Sequence, residues 1–232
     1  MPAKDGSMTK AIGFDFDHTL GVDNKLERIA FVDVVRRLSA QSGRAVDEDA
    51  AYANIDREIA FFRAGQCSLR EALTVAFRAV LGAAVPSDAE QLFRVRAVKL
   101  VPRYVAALPG VSELLSQLDA RLVPYAILTN GWNPLQQRKA ERIGFDRPVL
   151  VSEDLGVRKP QPEAFLALAA VLATDARSVT YVGDDPQVDV AGALAAGMQA
   201  IWFDWEARTY PANVPRPTAI VHRITDVLDH LS

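Results

Sequence analysis

The stretch Ala11-Ile12-Gly13-Phe14-Asp15-Phe16-Asp17-His18-Thr19-Leu20 is an apolar run that ends in two aspartates spaced one residue apart. A short run of this kind, closed by turn formers, reads as a buried strand, Ala11–Phe16. Side chains alternate along an extended chain, so Asp15 and Asp17 share one face while Phe14 and Phe16 take the other. Two carboxylates held together cannot both ionise comfortably, and one pKa should rise. Such a pair can set a base or nucleophile beside a protonated acid.

Working outward, the same kind of apolar run recurs at Tyr125–Leu128, Val149–Val151, Val179–Val182 and Ala200–Phe203. Helical periodicity fills the gaps, at Val111–Leu118, Pro134–Ile143, Glu163–Leu172 and Val188–Ala196. Strand and helix in alternation predict an α/β fold, a doubly wound and mostly parallel sheet with right-handed crossovers. Asn133-Pro134 supplies a cap followed by a proline suited to a first helical turn, and Gly144 and Gly197 stand where left-handed C-terminal caps are wanted.

Residues 24–101 break this rhythm. They hold no convincing strand but four helical stretches: Leu26–Leu38, Glu48–Phe62, Leu69–Leu81 and Ala89–Leu100. Ser68 with Glu71, and Ser87 with Glu90, have capping-box spacing. Tyr52, Ile55, Ile59 and Phe62 recur at helical intervals and read as the core of a bundle. An all-α insert, 22–104, therefore leaves an α/β domain made of 1–21 and 105–232.

Three further motifs fall at or just beyond the ends of candidate strands. Leu128-Thr129-Asn130-Gly131 offers a hydroxyl and a glycine that frees backbone N–H groups for phosphate oxygens. Arg158-Lys159-Pro160-Gln161-Pro162-Glu163 presents a lysine from a proline-stiffened backbone. Gly183-Asp184-Asp185-Pro186-Gln187-Val188-Asp189 gathers acids suited to a hard cation that prefers oxygen ligands. In an open α/β sheet, ligands bind at the edge where these strands end.

The bulk numbers are those of an ordinary globular protein of 232 residues, 50% hydrophobic and 24% charged. A net charge of −3 gives no footprint for nucleic acid or for an anionic membrane. Cys67 stands alone, so no internal disulfide can form. Met1 to Lys10 is polar, without the apolar stretch of a secretory signal, and no apolar run approaches the ~20 residues that span a bilayer; the cytoplasm is the expected location.

Together these residues resemble the haloacid dehalogenase superfamily, specifically its phosphatases. Asp15-Phe16-Asp17-His18-Thr19 is similar to that family's first motif, Thr129 to its second, Lys159 to its third, and Gly183-Asp184 with Asp189 to its fourth. The resemblance covers the α/β portion, which it makes Rossmann-like, and gives the helical insert the place of the family's cap. It implies that Asp15 attacks phosphorus to form an aspartyl-phosphate, while Asp17 protonates the leaving alkoxide and then activates water. Thr129, Asn130 and Gly131 would hold phosphoryl oxygens, and Lys159 would neutralise the phosphate and Asp15. Like charges ~5 Å apart repel by roughly 3 kcal/mol at an effective dielectric of ~20, and one lysine cannot offset Asp15, Asp184 and a phosphate dianion together.

A magnesium ion held by Asp15, Asp184 and the Asp17 carbonyl is therefore expected, with Asp189 acting through water or orienting the ligands, and Asp185 open to a swap of roles with Asp184. The insert would be a mobile lid, with Phe61, Arg63, Gln66 and Arg70 near a turn that could face the site. His18 follows Asp17 where many relatives carry glycine, and Trp132 reads as a packing aromatic. A small phosphomonoester is the expected substrate, with no nucleic-acid or membrane partner and the oligomeric state open. A phosphomutase would use the same two aspartates, and an inactive binding scaffold would keep only the fold. A dehalogenase would need neither Asp17 nor the acidic cluster, and a phosphonate hydrolase would need an insert lysine, where 24–98 offers only Lys25.

Overall fold

The computed structural model describes residues 11–41, 43, 45–82 and 85–231; Met1 to Lys10, read above as free of a secretory signal, lies outside them. The chain opens with β1 (Ala11–Phe14) and the two-residue β2 (Gly21–Val22), then runs through four helices, α1 (Leu26–Gln41), α2 (Glu48–Arg63), α3 (Leu69–Leu81) and α4 (Ala89–Tyr104). It returns through β3 (Ala106–Ala107), antiparallel to β2, into α5 (Val111–Ala120), β4 (Tyr125–Thr129), α6 (Leu135–Arg142) and β5 (Val149–Val151). The short α7 (Ser152–Leu155), α8 (Pro162–Val171), β6 (Val179–Gly183), α9 (Ala191–Ala195), β7 (Gln199–Phe203) and β8 (Ala219–Val221) complete it.

The six-stranded sheet has the order β5-β4-β1-β6-β7-β8, and every pairing in it is parallel. The strand order reverses at β1, between β4 and β6, so a crevice opens above the C-terminal end of β1. Both faces of the sheet are covered: Phe14 and Ile127 join one apolar cluster, Leu128 and Tyr181 the other. This is the doubly wound Rossmann-like α/β fold with an all-helical insertion. Among the described residues no helix is long and apolar enough to cross a membrane.

Several local expectations shift. The first strand ends at Phe14 rather than Phe16, because the Phe16 carbonyl accepts the N–H groups of Thr19, Leu20 and Gly21 at 3.2, 2.9 and 3.0 Å and curls the chain. Ser68 and Glu71 do form a reciprocal capping box at α3. Ser87 and Glu90 do not: α4 is flanked by Asp88 with no side-chain cap, and Glu90 turns instead to Arg70 and Arg94, each at 3.0 Å. Asn133 does not cap α6 either; its side chain donates to Asp154, and the helix begins at Leu135. Gly144 and Gly197 adopt the left-handed conformation expected of them, with φ of 81° and 82°. The helix anticipated at Val188–Ala196 is α only from Ala191, after a π-turn at Pro186–Val190. β8 was not anticipated, since its three residues follow a proline-rich loop and carry little periodic signal.

Candidate active site

β1 delivers Asp15 to the crevice, where its N–H donates to the Val182 carbonyl at 2.9 Å and so keeps it in register with β6. Lys159 arrives from the loop before α8 and is 3% exposed. Its Nζ donates to Asp15 Oδ1 at 2.6 Å, Asp189 Oδ1 at 2.7 Å and the Tyr181 hydroxyl at 3.0 Å. Asn130 fixes the lysine's backbone from both sides, accepting from the Lys159 N–H at 3.0 Å and donating to its carbonyl at 2.9 Å. Thr129, at the end of β4, lines the same cavity of ≈ 230 Å³ as Asp15, Lys159 and Asp184.

The acidic motif sorts its own members. The Asp185 Oδ1 accepts the N–H groups of Gln187 and Val188 at 2.8 and 2.9 Å, so it caps the π-turn. That turn carries Asp189 back under Gly183, where a Cβ would meet the Asp189 carboxylate carbon at 2.3 Å; only glycine allows the approach. One carboxylate oxygen from each of Asp15, Asp184 and Asp189 lies within 4.8 Å of the others. Of the two neighbours it is therefore Asp184 whose carboxylate joins Asp15, and Asp189 joins the cluster directly.

The electrostatics follow from this crowding. Burial pushes the Asp15 carboxyl up to about 7; Lys159 opposes the rise, and the charges of Asp189 and Asp17 add to it. Burial, then Asp15 and Asp189, push Asp184 up to about 8 against Arg208. Three acids against one buried lysine, which pairs with Asp15 and Asp189, and Arg208, 3.5 Å from Asp184, form an all-oxygen donor set short of positive charge, which fits a hard divalent cation such as magnesium.

Asp17 behaves differently. Its carboxylate accepts from Lys139 Nζ and, at 3.3 Å, from Gln136 Nε2. Burial would raise it, but the charges of Lys139 and Arg63 and the two hydrogen bonds outweigh burial and hold it at about 2. One carboxyl of the pair does rise, as expected, but it is Asp15; the expected protonated partner, Asp17, falls because a buried lysine stands against it.

Gly131 is a second correction. Its N–H donates to Ser152 Oγ at 3.0 Å and a Cβ there would strike Gln136, so it packs behind the cavity rather than facing a phosphate. Of the insert residues, Arg63 reaches the cavity while also bridging to Glu27 at 2.7 Å; Arg70 pairs with Glu90. Trp132 is buried, as a packing aromatic should be, and its Nε1 donates to Glu27 at 2.7 Å. His18 has φ 62°, the left-handed region that glycine favours, and stacks near Trp205 with centroids 6.4 Å apart. Lys139, Gln136, Tyr181 and Arg208 were not singled out in the sequence. Only the apolar neighbours Leu135 and Ala140, which place Gln136 and Lys139 on the inward face of α6, could have flagged the first two.

The family model for haloacid dehalogenase-like hydrolases matches residues 9–197. A glyceraldehyde 3-phosphate phosphatase of Pyrococcus abyssi is 26% identical over 85% of this chain and 82% of its own. A phosphoserine phosphatase of Thermus thermophilus is 34% identical, but the match spans 50% of this chain and 45% of the relative. Among solved structures, a 2-haloacid dehalogenase from Pseudomonas syringae superposes with a TM-score of 0.69 at 28% identity, covering 97% of this chain and 98% of that one. The motif order, the parallel sheet with its helical insertion and the match over residues 9–197 place this chain in the haloacid dehalogenase-like hydrolase family.

Proposed function

We propose that this protein is a magnesium-dependent phosphatase that hydrolyses a small phosphomonoester through an aspartyl-phosphate on Asp15. The observation that carries the reading is the convergence of Asp15, Asp184 and Asp189 beside Lys159 at the switch point of the sheet. Asp15, Asp184 and the Asp17 carbonyl would hold the cation, which when bound neutralises phosphoryl charge and keeps Asp15 ionised. Asp189 serves the cluster from beneath, by anchoring Lys159.

Asp15 attacks phosphorus, the P–O bond to the leaving group breaks, and Asp17 gives that oxygen a proton. Asp17 starts ionised, so it must first take up a proton from solvent; the negative charge of a bound phosphate monoester raises its pKa and favours that uptake. Asp17 next takes a proton from water, whose oxygen attacks phosphorus and releases Asp15 and phosphate. Lys159 and Thr129 hold the phosphoryl oxygens, with Asn130 keeping Lys159 in place. Residues 22–104 act as a cap over this site, and 1–21 with 105–232 as the catalytic core. A cavity of ≈ 740 Å³ between them shares His18 and Arg63 with the phosphoryl site and has room for a metabolite-sized leaving group. A dehalogenase reading, which the Pseudomonas likeness raises, leaves the acid at Asp17 and the carboxylate cluster without work.

The test is a phosphate-release screen over small phosphomonoesters, with and without magnesium, using wild type and Asp15→Asn. Release should require the metal and collapse in the variant; equal turnover by Asp15→Asn sinks the assignment.

A further inference from the structure

Lys139 is a buried charge beside the phosphoryl site that the phosphatase chemistry does not use. It is 0% exposed, and it does not line the phosphoryl cavity. A lysine without water is costly unless it is fully paired. Here its Nζ donates to Asp17 Oδ1 and, at 3.0 Å, to Asp23 Oδ2, while the ammonium sits 5.2 Å from the Phe16 ring centroid. Gln136, one turn earlier on α6, aims at the other Asp17 oxygen. Two donors on one helix face thus converge on a single carboxylate.

The second anchor is informative because of where it lies. Asp23 begins the linker into the helical insert. Asn24 and Lys25, which follow it, both have positive φ, 46° and 62°. Asn24 Nδ2 donates to the Tyr104 carbonyl at 3.1 Å, tying the outgoing linker to the returning one. An unbroken chain of contacts therefore runs from the Asp17 carboxylate through Lys139 to the point where the insert departs.

We propose that Lys139 is a positioning residue: it fixes the Asp17 carboxylate at the rim of the phosphoryl site and couples its placement to the cap linker through Asp23. The inference rests on the phosphatase reading, in which Asp17 is the acid and base. Its lost function is therefore a loss of aim at the leaving oxygen.

The experiment compares wild type with Lys139→Met and Asp23→Asn on aryl phosphates graded from 4-nitrophenyl to 4-methoxyphenyl phosphate, in magnesium. Crystal structures of all three proteins accompany the kinetics. In Lys139→Met, kcat should fall at least about tenfold more for the 4-methoxyphenyl ester, which needs a proton on departure, than for the 4-nitrophenyl ester. KM should stay within about twofold, since Lys139 makes no contact with the cavity. Asp23→Asn should shift the same slope in the same direction by less, and Asp17 should leave its wild-type rotamer in Lys139→Met. An equal slowing of every ester in both variants, or an unmoved Asp17, overturns the proposal and leaves a structural ion pair. If Lys139→Met does not fold, Asp23→Asn decides alone: an unchanged slope rejects the coupling. A wild type that releases no phosphate from any ester overturns the phosphatase reading, and this inference with it.

Discussion

Lys159 holds Asp15, Asp189 and Tyr181 with a single ammonium, and removing it would strand two buried carboxylates. Breaking a buried pair by deleting one partner costs roughly 3–5 kcal/mol. Lys159→Met is therefore expected to lose that much stability in urea melts without metal, and to lose phosphate release with it. Protons and metal should also compete at the neighbouring acids. The raised pKa values of Asp15, about 7, and Asp184, about 8, mean that the metal-free fold keeps protons the unfolded chain would shed near 4. Stability without metal should thus fall as pH rises from about 4 through about 8. Magnesium affinity should rise over the upper part of that range, by up to tenfold per pH unit for each proton displaced, and level off above it. Thermal melts in chelator and in magnesium, from pH 5 to 9, check both signs.

Elements matter here for what they deliver. The π-turn Pro186–Val190 exists because Asp185 caps it, and it returns Asp189 to the cluster past the bare backbone of Gly183. Gly183→Ala should force Asp189 aside, since a Cβ 2.3 Å from its carboxylate carbon has no room. Magnesium affinity should drop at least about tenfold, read by calorimetry. Ser68→Ala makes the contrasting change: it removes the α3 capping box, whose Ser68 and Glu71 do not line the phosphoryl cavity. It should cost about 1 kcal/mol in denaturant melts and leave kcat unchanged.

Across the whole molecule, arginines stitch the insert to the core. Arg94 of α4 reaches Glu153 at 2.6 Å and the Asn133 carbonyl at 3.2 Å. Arg158, beside Lys159, donates to the Phe62 carbonyl at the end of α2, and Arg142 to the Pro102 carbonyl at 3.3 Å. These ties lie at the edge of an apolar cluster that the insert and the α/β portion share: Phe93 of α4 packs on Trp132 with ring centroids 5.9 Å apart. The double variant Arg94→Ala/Arg158→Ala should raise KM several-fold yet leave the radius of gyration unchanged in X-ray scattering, because the shared apolar cluster remains. An enlarged scattering profile would show that the ties, and not the shared cluster, hold the insert in place.

The residues alone were enough for the parallel α/β sheet and the four helices that interrupt it, and they singled out Asp15, Thr129, Lys159 and Asp184, which line one cavity. Each of those signals is local: periodicity, capping chemistry, and an acid or a base at the end of an apolar run. What they could not supply were relations between distant segments. Asp184 and Asp185 are adjacent in the chain and alike in chemistry; only the π-turn, by using one as a cap, leaves Asp184 in the carboxylate cluster. Gly131 looked free until Ser152 was seen to take its N–H. Lys139 lies 122 residues from Asp17, and a lysine in a helix reads as solvated until packing buries it against a partner. Burial and charge at a site are sums over neighbours, and neighbours are chosen by the tertiary fold.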